Sequence, residues 1–92
     1  QGKFWEYHDR LFESQQALGV SSLKSYAADL GLNTQQFNNC LASGKYASRV
    51  QGDLQSGTAA GVRGTPATYV NGKLISGAQP YPAFQQAIEA EL

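Results

Sequence analysis

The only thiol in this chain is Cys40 and the only imidazole is His8. A thiolate is the nucleophile of disulfide exchange, so Cys40 could serve as a resolving or regulatory thiol. No Lys, Arg or His stands close to it in sequence to stabilise a thiolate, and it shares a helical face with Phe37 and Leu41. That pattern equally suits a small core residue, and the core reading is favoured. His8 could shuttle a proton. Yet it stands between Phe4 and Phe12 on a helical stripe, with no Cys, Asp or second His at ligand spacing. A packed or half-exposed imidazole is expected there. With so few ligand side chains, no metal and no cofactor are expected. The glycines Gly61 and Gly64 are not a phosphate loop, because no Gly-Lys-Ser/Thr follows them. They lead instead to Thr65-Pro66, which blocks helix and turns the chain toward extended geometry. The proline permits a cis bond at a cost of only about 0.5–1 kcal/mol over trans, or an ordinary trans bond at a strand entrance. Spacing alone favours trans.

The elements that position these residues follow from periodicity. A helix is predicted over Lys3–Gln16, with Phe4, His8, Leu11 and Gln15 on one stripe and Trp5, Tyr7 and Phe12 widening it. Leu18-Gly19-Val20 breaks it. Ser21 or Ser22 is expected to cap a second helix carrying Leu23, Tyr26, Ala27 and Leu30 on its inner face, with Gly31 as its stop. Asn33 opens a third helix, and Gln36 three residues on permits a capping box. Phe37, Cys40 and Leu41 are its expected buried face, and Gly44 closes it. A fourth helix is predicted from Tyr46 to Ala60 with Tyr46, Val50 and Leu54 in line, stopped by Gly61. The period then changes. Ala67-Thr68-Tyr69-Val70 is strand-like, Asn71-Gly72 is a strong hairpin signal, and Lys73 to Gly77 returns. A last helix is expected from Pro80 to Glu91, with Phe84, Ala87, Ile88 and Leu92 inward. Pro80-Tyr81-Pro82 could be an extended proline-type ligand, but it reads better as the start of that helix.

Composition bounds the function. Seven Lys and Arg balance seven Asp and Glu, so the formal charge is zero, and a nucleic-acid surface is disfavoured. Apolar residues are 41% and charged residues 15%, a globular balance that argues against a disordered tail. No run of residues is long and apolar enough to span a bilayer. The chain holds no Met and starts in helical sequence, which suggests a processed or truncated piece. A two-stranded hairpin is marginal on its own in water. Ala67 to Val70 is therefore either an open edge that recruits another strand or half of a small sheet covered by helices.

The run Gly61-Val62-Arg63-Gly64-Thr65-Pro66-Ala67-Thr68-Tyr69-Val70-Asn71-Gly72-Lys73, with Ile75-Ser76-Gly77-Ala78-Gln79-Pro80 and Phe4-Trp5-Glu6-Tyr7-His8-Asp9-Arg10-Leu11-Phe12, resembles the C-terminal part of a DsbA-like thiol–disulfide oxidoreductase of the thioredoxin superfamily. The resemblance covers nearly the whole chain. It implies an α+β fold of incomplete thioredoxin type: a helical insertion over residues 1–61, then a ββα half over residues 62–92, with the active-site βαβ half missing. No Cys-Xaa-Xaa-Cys exists here, and Cys40 matches neither catalytic position, so no catalytic residue is expected within the chain. The same resemblance puts a cis-proline loop at Thr65-Pro66, with Gly64, Thr65 and Pro66 as substrate-binding residues and Val62 and Arg63 as candidate loop contacts. Arg63 could steer a substrate or simply be solvated. The implied partners are extended or unfolded proteins with thiols or disulfides, and the implied compartment is extracytoplasmic, a periplasm or cell surface. Three readings compete. The first is part of a disulfide-exchange enzyme. The second is a module that binds peptides or self-associates through Ala67–Val70. The third is a helical domain with a hairpin and no chemistry. Trp5, Tyr7, Phe12 and Tyr26 could line a peptide groove but are expected to be core.

Overall fold

A computed structural model describes residues Gln1–Leu92. The order is α1 Phe4–Glu13, α2 Val20–Asp29, α3 Thr34–Ser43, α4 Ala47–Ala59, β1 Ala67–Val70, β2 Lys73–Ser76 and α5 Tyr81–Glu89. This α+β arrangement of helices followed by one antiparallel hairpin suits a partial thioredoxin-like fold. The chain divides into two compact units, Gln1–Ala47 and Ser48–Leu92.

The first unit holds the only buried residues, Tyr26 and Ala27 of α2. The Tyr26 hydroxyl donates to the Ala17 carbonyl at 2.6 Å, and the Arg10 guanidinium lies 4.9 Å from its ring centroid. Arg10 also reaches the Asp29 carboxylate at 3.3 Å, joining α1 to α2. The second helix does not wait for Ser21 or Ser22. It begins at Val20, because Gly19 takes an extended conformation and its carbonyl accepts the first helical bond from Leu23 N–H. Both serines fall inside the helix. Its end is as expected: Gly31 has φ +73, Leu32 N–H donates to the Ala27 carbonyl, and Gly31 N–H donates to that of Ala28. This double bond with a left-handed glycine is a Schellman motif. The α1 helix stops at Glu13, short of Gln16.

Asn33 caps α3 as predicted, its side chain accepting from Gln36 N–H at 3.0 Å. The reciprocal half of a capping box does not come from Gln36. The side chain of Gln1 provides it, accepting from Asn33 N–H at 2.7 Å and donating to the Asn33 carbonyl at 3.2 Å.

In the second unit no residue is fully buried. The predicted stripe of α4 is real in spacing but uncovered: Val50 and Leu54 are exposed. Ile88 and Leu92 are likewise exposed, whereas Phe84 and Ala87 are half-buried. The α4 helix ends in a second Schellman motif, with Gly61 at φ +95 and Val62 N–H donating to the Gly57 carbonyl at 2.9 Å. The hairpin pairs Ala67 with Ser76, Thr68 with Ile75, Tyr69 with Leu74 and Val70 with Lys73. Asn71 and Gly72 both have positive φ, 49° and 83°, as a type I′ turn requires. Pro82 sits in the first turn of α5, where its missing N–H has no helical partner to lose.

Candidate functional site

Residues 62–66 bridge α4 and β1. The stretch is fixed at both ends by main-chain bonds. Upstream, the Val62 amide closes the Schellman turn, and the Tyr69 hydroxyl on β1 donates to the Ala60 carbonyl, which the helix end leaves free. Downstream, the Pro66 carbonyl accepts from Gly77 N–H at 2.9 Å and continues the hairpin ladder. Between these ties Val62 is half-buried, while Arg63, Gly64, Thr65 and Pro66 are exposed. The Thr65–Pro66 peptide is cis. A Cβ on Gly64 would meet nothing within 4 Å, so its backbone is open to approach. The stretch offers main-chain donors and acceptors, one hydroxyl and one guanidinium, but no thiol, acid or imidazole. Chemically it can align an extended backbone. It holds no thiol for disulfide exchange.

The first unit carries a different concavity. A groove of about 780 Å³ runs between α1 and α3, lined by Phe4, Tyr7, Leu11, Phe37, Cys40 and Tyr46 among others. The rings of Tyr7 and Phe37, both in its lining, lie 5.5 Å apart. The Tyr7 hydroxyl donates to the Leu23 carbonyl at 3.0 Å. Burial, and secondarily the nearby Tyr26, raise its pKa above the ordinary tyrosine value. Cys40 is a free thiol, half-buried on this wall rather than sealed in a core. Leu41, expected beside it, is at the surface.

The aromatic residues sort differently from expectation. Phe4, Trp5 and Phe12 are exposed, Tyr7 is half-buried, and Tyr26 is buried away from any groove. His8 lies within this ring cluster, 5.1 Å from Trp5 and 4.9 Å from Phe12 by centroid, with Nδ1 3.1 Å from the Asp9 carboxylate. No group of three or more His, Cys, Asp or Glu side chains is placed to hold a metal ion. Sequence reasoning missed the α3 wall of the groove. The signal was the Phe37/Cys40 pair at three-residue spacing, read there as core.

Several known proteins contain a stretch similar to this chain. The chain is 37% identical over 90 residues to the Na(+)/H(+) antiporter NhaA of Herminiimonas arsenicoxydans, covering 98% of the chain and 14% of that protein. It is 35% identical over 88 residues to Na(+)/H(+) antiporter NhaA 3 of Salinispora tropica, covering 96% and 14%. It is 34% identical over 92 residues to Na(+)/H(+) antiporter NhaA 1 of Mycolicibacterium gilvum, covering 98% and 15%. The chain thus spans only about one seventh of the length of the curated relatives it matches. No helix here is long and apolar enough to cross a membrane. No solved structure matches the chain. The family described as DSBA-like thioredoxin domain matches residues 1–89, and the chain belongs to that family.

Proposed function

We propose that this chain is the substrate-side part of a thiol–disulfide oxidoreductase acting on extended or unfolded proteins that carry thiols or disulfides. The observation that supports this best is the exposed stretch Arg63–Pro66, tied at both ends and leading directly into an edge strand, in a member of this family. Gly64, Thr65 and Pro66 would lie along the substrate backbone, and Val62 and Arg63 would flank it. The nucleophile would come from a Cys-Xaa-Xaa-Cys outside residues 1–92. In that exchange a thiolate attacks one sulfur of the substrate disulfide. The old S–S bond breaks, a mixed disulfide forms, and the displaced sulfur leaves as thiolate. The second cysteine then resolves the mixed disulfide, so the dithiol is oxidised as the substrate is reduced. Oxidation of substrates is the reverse. The division into a helical part over residues 1–61 and a ββα part over residues 62–92 belongs to this reading, as does an extracytoplasmic location. The antiport activity that names the relatives is one of far longer proteins.

The test is intact mass of the polypeptide that carries this chain in its source, before and after thiol alkylation. Two further thiols spaced as Cys-Xaa-Xaa-Cys are expected. A polypeptide whose only thiol is Cys40 would overturn dithiol chemistry. One observation favours a second reading, a non-catalytic module that binds peptides or self-associates: β1 is uncharged along its whole length and has a strand on one side only.

A further inference from the structure

One side chain closes the stretch between α4 and β1. The Tyr69 hydroxyl donates to the Ala60 carbonyl, nine positions back along the chain. That single bond therefore encloses Val62, Arg63, Gly64, Thr65 and Pro66 together. The other ties of the stretch are main-chain bonds, and each fixes one end only: Val62 N–H to the Gly57 carbonyl, and Gly77 N–H to the Pro66 carbonyl. Tyr69 is itself held opposite Leu74 by the hairpin register. Its hydroxyl oxygen lies 3.7 Å from where a Cβ on Gly61 would stand, at the residue whose φ of +95 turns the chain out of the helix.

We infer that Tyr69 is a positioning residue for substrate: its hydroxyl holds the end of α4 at a fixed distance from β1 and so keeps the Gly64–Pro66 backbone in place for an extended chain. The inference rests on the reading of residues 62–66 as the substrate stretch. Its physical basis is preorganisation. A stretch closed by a cross-link samples fewer conformations than one held only at its chain ends. A site already ordered has less freedom to lose when a ligand binds. The partner is a carbonyl, so only a donor can make this closure. Phenylalanine would keep the ring and leave the Ala60 carbonyl without its bond. Tyr69 acts through Ala60 and the residues it encloses, not by touching substrate. At 38% exposure the residue is open to water, which competes for the bond, so the effect on affinity is graded rather than total.

The test is Tyr69→Phe in the whole polypeptide that carries this chain. The reduced polypeptide is given two disulfides in single-turnover reactions, in which its dithiol is oxidised as the substrate is reduced. One is an unstructured peptide with its cysteine in mixed disulfide with glutathione. The other is hydroxyethyl disulfide, which has no peptide backbone to lie along the stretch. For the peptide, the concentration giving half the limiting rate should rise about two- to tenfold, with the limiting rate unchanged. The rate with hydroxyethyl disulfide should not move. Placing p-aminophenylalanine at position 69 restores a donor on the same ring and should restore the peptide affinity. The same peptide with serine for cysteine, titrated by fluorescence anisotropy, needs no dithiol, and its dissociation constant should rise by the same factor. Equal peptide affinity in the two proteins, an equal loss with both disulfides, or no binding of the serine peptide to the unmodified polypeptide would each overturn the positioning role. So would loss of the fold in Tyr69→Phe, read by circular dichroism, because Tyr69 would then be structural. Failure of the unmodified polypeptide to react with hydroxyethyl disulfide would overturn dithiol chemistry instead, and the serine peptide would still decide on Tyr69.

Discussion

The units Gln1–Ala47 and Ser48–Leu92 are held by different forces. The first has a packed centre at Tyr26 and Ala27, and side chains that reach across it: Tyr7 to Leu23, Arg10 to Asp29, Gln1 to Asn33. The second has no fully buried residue. It depends on main-chain geometry at Gly61, Asn71, Gly72 and Gly77, and on the Tyr69 hydroxyl at the end of α4. Truncating a side chain should therefore injure the first unit most, and in the second unit a Cβ should do harm where it falls on a left-handed glycine such as Gly61. The region that offers its backbone outward, residues 63–66, lies in the unit held by backbone.

The largest expected effect is at Tyr26. Replacing it with Ala removes the ring beneath Arg10 and the bond to Ala17, and should cost about 3–5 kcal/mol in urea unfolding followed by far-ultraviolet circular dichroism. A loss below about 1 kcal/mol would show that the first unit does not depend on its centre. Next comes Gly61→Ala. Its φ of +95 disfavours any Cβ, and a loss of about 1–2 kcal/mol is expected. Gly52→Ala should do the opposite and gain about 0.5–1 kcal/mol, because Gly52 lies inside α4 with nothing within 4 Å of an added Cβ. Equal signs at the two glycines would show that the left-handed backbone at Gly61 does not decide the outcome. Asn33→Ala should cost about 1 kcal/mol through the lost cap on Gln36 N–H.

The smallest effect is pH-dependent. Tyr7 has a raised pKa in the folded chain, so above the unfolded tyrosine pKa near 10 the unfolded state loses its proton first. The stability Tyr7 contributes is thus complete below about pH 10 and is lost as pH rises through its folded pKa. Tyr7→Phe should flatten that alkaline decline, read from urea midpoints at successive pH values. An unchanged slope would remove Tyr7 from the account of the first unit.

Much of the fold was legible because its punctuation is local. Gly31, Gly44 and Gly61 stop helices where the sequence places them, and Asn71-Gly72 alone specifies the hairpin register. The start of α2 was not legible, because a serine before an apolar stripe looks like a cap whether or not the preceding glycine has already begun the helix. Coverage was not legible either. Period 3.6 says that Val50 and Leu54 share a face, but not whether anything lies on it, and nothing buries them. At the candidate site, the identity of residues 62–66 came from a contiguous pattern. The groove between α1 and α3 joins residues far apart in the chain, and spacing within one helix cannot report a wall supplied by another.

The bond pair between Gln1 and Asn33 has a consequence for measurement. The Asn33 amide is shielded by a side chain 32 positions away, not by its own helix. Its exchange with solvent deuterium therefore reports how often the Gln1 side chain leaves Asn33, not how often α3 unwinds. A single resonance would time that release at the rim of the groove that Cys40 lines, without any label placed inside it.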